Sequence, residues 1–162
     1  MRNPTVLALR IVIGLVLAGS LFVQVVMVPL FWADLDGATA GVRISVVTIV
    51  VLGIVCVQVT AVCVWKLLTM VRRGTVFSDA AFRFVDVIVV AIVVASLLAF
   101  ALGVVLAPGE DVAPGVVLLI GGFGVCVAGV ALIVRVLRLL LAQAVARDVE
   151  AQHLRAELDE VI

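Results

Sequence analysis

The chain has 162 residues, 66% hydrophobic and only 14% charged, with a formal net charge of zero and a mean hydropathy of +1.44. Water-soluble domains carry about a quarter charged residues, so this chain needs a solvent other than water. The balanced charge gives no basis for direct nucleic-acid binding.

Four uncharged apolar runs occupy residues 11–33, 44–65, 87–107 and 112–134. Each is close to the ~20 residues an α-helix needs to cross a bilayer core of about 30 Å. Their abundant valines favour strands in water, but an isolated strand in lipid leaves its backbone groups unpaired, so the helix wins. The predicted fold is therefore all-α, an integral membrane bundle of four transmembrane helices. These run at about 8–33, 44–70, 78–107 and 112–141 and form a membrane domain at 1–141. The last helix is predicted to extend as a cytoplasmic helical tail at 142–162.

The first span begins after Arg2 and Arg10. Ala38-Thr39-Ala40 resembles a signal-cleavage site, but the apolar run before it is longer than the about 7–15 residues of a signal core. The span is expected to stay as an anchor. It carries Gln24, and the second span carries Gln58. Counted from the outer ends, the two amides differ in depth by about 7 Å at ~1.5 Å per residue, so a direct bond requires extended side chains. Polar residues at such positions hydrogen-bond between helices, which makes structural pairing the main expectation and a ligand contact the alternative. Cys56, Cys63 and Cys126 all lie inside apolar runs, where a thiol behaves as a small hydrophobe; no disulfide or metal site is expected.

Lys66, Arg72, Arg73 and Arg83 lie between the second and third spans, and Arg135, Arg138, Arg147 and Arg155 follow the fourth. Of the eleven basic residues only Arg43 lies on the other side. The positive-inside bias therefore predicts a multi-pass protein of the cytoplasmic membrane with both termini cytoplasmic; the arginine-, valine- and alanine-rich composition hints at a bacterial source. In the inner connection, Gly74 suits the end of the second helix, and Ser78 with Asp79 suits the start of the third. Phe77, Phe82 and Phe84 are expected at headgroup level.

The third span holds Ala91, Ala95, Ala99 and Gly103 at four-residue spacing. The fourth holds Gly124 and Ala128 among further small residues. Small stripes let helices approach closely in lipid, predicting packing within the bundle or a homo-oligomer seam. No acidic residue occupies a helix centre, where a proton-coupled transporter needs a titratable group. Asp86, at the margin, is expected to form an ion pair with Arg83, three residues earlier on the same face.

The tail lacks Pro and Gly. Val145 and Val149 share one face, while Leu154, Leu158 and Val161 share the opposite one at 100° per residue. Glu157, Asp159 and Glu160 rim the second patch and would be repelled by an anionic leaflet. Leu154, Glu157, Leu158, Asp159, Glu160 and Val161 are therefore the candidate surface for a protein partner. His153 is expected to be exposed. Enzyme readings fail on inventory: there are no outward Cys pairs for thiol oxidation, no paired intramembrane His for haem, no phosphate-cradling Gly loop and no Ser/His/Asp set. No catalytic residue, metal or cofactor is expected.

Arg73-Gly74-Thr75-Val76-Phe77-Ser78, followed by Phe82-Arg83-Phe84-Val85-Asp86, resembles the DUF2975 membrane proteins of bacteria, as does the closing run from Leu154 to Ile162. The resemblance covers essentially the whole chain. It implies four helices, no assigned enzyme activity and, through gene neighbourhood, a possible small Cro/Xre-type helix-turn-helix DNA-binding partner. The expected function is a non-enzymatic membrane regulator or sensor whose tail holds that partner. The alternatives are a small transporter or channel subunit and a structural membrane interaction protein, with the lipid bilayer the common partner of all three.

Overall fold

The computed structural model describes residues 4–34, 39–72, 79–108 and 112–161. Expectations for Gly74, Phe77 and Ser78 fall outside these residues, as do the side chains of Glu157, Leu158, Asp159, Glu160 and Val161. The described residues form helices α1 (Pro4–Phe22), α2 (Val28–Asp34), α3 (Ala40–Arg72), α4 (Asp79–Leu106) and α5 (Pro114–Val161). A single π-helical turn, Val23–Met27, joins α1 to α2 within the first span. Among the described residues, four helical segments are long and apolar enough to cross a membrane: Leu7–Ala33, Ala40–Met70, Phe82–Leu106 and Pro114–Arg155. The chain is a multi-pass membrane protein.

Local chemistry explains the ends. Thr39, a residue type favoured before a helix start, offers its carbonyl to the Arg43 N–H at 3.0 Å. The second helix thus begins before Arg43, and the outer connection is shorter than the sequence suggests. Pro114 opens α5 at the position where a missing N–H costs nothing, and the Val116 N–H closes a tight first turn on the Ala113 carbonyl at 2.9 Å. Pro108 lies two residues beyond the end of α4, where it cannot continue the helix. The π turn also has a proline cause. Pro29 has no N–H and its ring crowds the carbonyl four residues back, at Val25. The Val28 N–H accordingly reaches five residues back to Val23.

The helices pack in chain order, with α1 on α3, α3 on α4 and α4 on α5. The core is thin and made largely of small or mid-sized side chains, among them Ile13, Val46, Ala61, Ile88, Ala91 and Ala131. A water-soluble fold with Leu118 79% exposed and Leu119 74% exposed would be unusual in presenting so continuous an apolar surface. In lipid such residues face hydrocarbon, and association rests on close packing and hydrogen bonds instead.

The tightest seam joins α4 and α5. A Cβ added at Gly124 would stand 3.3 Å from Phe100 Cε2 and 3.4 Å from Ala99 Cβ, and one at Gly103 would touch Ile120 and the Val117 carbonyl at 3.9 Å. The absent side chain exposes the Gly124 carbonyl, which accepts a 2.9 Å hydrogen bond from the buried Ser96 hydroxyl. Helix α5 then runs on without a break to Val161, a 48-residue helix of roughly 70 Å at 1.5 Å per residue.

Candidate ligand cavity

Between the helices lies a cavity of about 570 Å³, within the volume range of small-molecule sites, lined by all four spans. Helix α3 contributes a long face that includes Gly53, Val57 and Ala61; α4 contributes Ala91, Ala95 and Ala99; α1 adds Val16, and α5 adds Phe123 and Val127. The lining is hydrocarbon apart from Cys56 and Thr60, and the Thr60 hydroxyl is already committed to the Cys56 carbonyl at 2.9 Å. Val16, Val57 and Phe123 line the cavity yet are exposed, so it opens sideways rather than being sealed.

The small-residue stripe of α4 therefore has two duties. Ala99 and Gly103 meet α5, whereas Ala91, Ala95 and Ala99 also border the cavity. Ala128 is half-buried on α5.

One wall of the bundle carries a polar cluster. Gln58 Nε2 donates to Gln24 Oε1 at 2.8 Å and to Ser20 Oγ at 3.2 Å. The Ser20 hydroxyl spends its proton on the Leu17 carbonyl at 2.9 Å, which leaves its lone pairs for Gln58. The depth gap between the two amides is bridged because Gln58 spreads its two N–H groups over one turn of the first span. Neither glutamine lines the cavity.

Cations stacked on aromatic rings fasten both ends of the spans. At one end Arg10 stands 5.4 Å from the Trp65 ring and donates through Nη2 to Thr69 Oγ1 at 3.0 Å, tying α1 to α3. Lys66 lies 5.4 Å from the Phe84 ring, between α3 and α4. Arg138 lies 5.8 Å from the Phe82 ring and ion-pairs with Asp86 at 2.6 Å, tying α5 to α4. At the opposite end Arg43 lies 4.3 Å from Trp32. Such contacts gain strength where water is scarce, and Trp rings favour the membrane interface.

Asp86 therefore pairs across helices with Arg138, not with Arg83 on its own helix. An acid placed after its base at i+3 opposes the helix dipole and is the weaker orientation. The Arg138 guanidinium meets the Asp86 carboxylate and the Phe82 ring together.

In the tail, Val145 is half-buried, whereas Val149, His153 and Leu154 are exposed. Among the described residues no group of three or more His, Cys, Asp or Glu side chains converges, and the three cysteines form no disulfide. Sequence reasoning missed Ser20, Ser96 and the Arg138 partner. Ser96, the only polar residue in its apolar run, was the available signal.

The family model described as "Protein of unknown function (DUF2975)" matches residues 31–162. The match starts at Phe31, so most of the first span lies outside it, and the resemblance is narrower than the whole chain. No curated protein and no solved structure matches.

Proposed function

The chain belongs to the DUF2975 family, and from that premise we propose that it is a non-enzymatic regulatory or sensory protein of the bacterial cytoplasmic membrane, with both termini in the cytoplasm. The bundle perceives an apolar ligand or a membrane state, and the tail holds a small, basic helix-turn-helix DNA-binding protein.

One observation carries this reading. Helix α5 touches the cavity at Phe123 and Val127, is clamped to α4 at Arg138–Asp86, and continues unbroken to Val161. A change at the cavity thus has a rigid route to the tail. Counting from Arg147, the tail carries two arginines against five acidic side chains, Asp148, Glu150, Glu157, Asp159 and Glu160, which suits a basic partner.

The experiment is affinity purification in mild detergent, full-length chain beside a truncation after Arg147, with mass spectrometry of the co-purifying proteins. A small helix-turn-helix protein retained only by the full-length chain supports the proposal. Identical partners with and without the tail would overturn it.

A further inference from the structure

We infer that the cavity between α1, α3, α4 and α5 binds a single hydrocarbon chain, the tail of an acyl or isoprenoid lipid that enters sideways from the bilayer. This names the ligand class for the sensory reading, and rests on that reading for what binding achieves.

Three observations exclude other occupants. The lining carries no charge, and its one free donor is the weak Cys56 thiol, since the Thr60 hydroxyl is bonded back to the Cys56 carbonyl. A headgroup or polar metabolite would lose its hydration without compensation there. Next, the lining residues sit near the middle of their spans: Val16 in Leu7–Ala33, Gly53 and Val57 in Ala40–Met70, and Ala95 in Phe82–Leu106. The mouth therefore lies at the depth reached by chain ends and not by headgroups. Finally, the space is made by small side chains rather than by loose helices. Gly53 has nothing within 4 Å of an added Cβ, whereas a Cβ added at Gly124 would stand 3.3 Å from Phe100. A laterally open space lined mainly by aliphatic side chains is filled by a flexible chain through dispersion contacts.

The test uses the full-length protein in phosphatidylglycerol vesicles doped with a phospholipid bearing a diazirine at its acyl terminus, and in parallel with a diazirine-tagged polyprenol. After irradiation, label is assigned residue by residue. The expected result is label at Val57, Ala95 and Phe123 exceeding that at lipid-facing Leu118, Leu132 and Val104. Gly53→Leu, which projects into open space, should abolish the excess. Gly122→Leu, equally unobstructed but outside the cavity, should leave it intact and controls for folding. Preference for the first or second probe identifies an acyl or an isoprenoid source; both support the site.

Label spread evenly over all lipid-facing residues, indifferent to Gly53→Leu, would overturn the inference. So would exclusion of both probes with Phe123→Cys cross-linking to a second copy, since a neighbouring helix would then fill the space. Loss of the excess label with tail-dependent co-purification unchanged removes the ligand alone. Preserved label with no tail-dependent partner removes the regulatory reading and leaves the site.

Discussion

Replacing Gln58 by Leu should destabilise the bundle more than replacing Gln24, and the two changes should not add. Gln58 makes both interhelical bonds of the cluster, to Gln24 Oε1 and Ser20 Oγ. Each such bond in a membrane protein is worth about 0.6 kcal/mol, up to ~1.7. Gln58→Leu removes both and leaves the Gln24 amide without its partner in hydrocarbon, a further penalty of about 1–3 kcal/mol. The expected total is about 2–4 kcal/mol. Gln24→Leu removes one bond while Gln58 keeps Ser20, so it should cost about 1 kcal/mol. In the double variant no amide is stranded, and the cost should fall below the sum by about 1 kcal/mol or more. The assay is reversible unfolding in mixed micelles of mild detergent and SDS, followed by fluorescence of Trp32 and Trp65, the two tryptophans, which lie at opposite ends of the spans. Additivity within about 0.5 kcal/mol would refute the reasoning, because it would mean the amides do not sense each other.

Further outcomes follow from other contacts. Asp86→Asn should cost less than about 1 kcal/mol, as the pair is half exposed, and Arg138→Ala should cost more because it also removes the Phe82 contact; Arg83→Ala should be neutral in the same unfolding assay. Ser96→Ala should cost about 0.6–1.7 kcal/mol through the lost bond to Gly124, whereas Gly124→Leu should cost about 1–3 kcal/mol by overpacking against Ala99 and Phe100 and lower the yield of folded protein in membranes. For orientation, Gln152→Cys should react with a membrane-impermeant maleimide only after cells are opened, and Thr39→Cys should react in intact cells. The reverse pattern would invert the proposed topology.

The four spans and the continuous last helix were legible because in lipid the length and apolarity of a run settle its conformation without help from distant residues. Gln24 and Gln58 were legible for a similar reason: an amide in hydrocarbon must find a partner. Contacts between distant positions were not. Arg83 stood near Asp86 in sequence, but the acid chose Arg138, 52 positions away, where a ring and a carboxylate could be met together. The cavity was illegible on principle. Gly53, Ala91 and Ala95 read the same whether a neighbouring helix or an open space stands opposite, and only the arrangement of four helices distinguishes the two. Pro29 was a visible signal for the break in the first span, although a proline alone does not say whether the helix bends, widens or stops.

That wider turn sets the phase of the first span. In an unbroken α-helix, Gln24 and Trp32 would point about 80° apart, eight residues at 100° each. A π turn takes up one residue more than an α turn, leaving seven to count, so the two directions fall within about 20°. Both can then serve α3, Gln24 at Gln58 and Trp32 at Arg43. The span thus carries one residue of slack. Deleting Val25 or Val26 together with Pro29→Ala, which removes the crowding that opens the turn, should restore ordinary winding and keep both contacts, while deleting Leu17, upstream of the slack, should swing α1 out of step with α3.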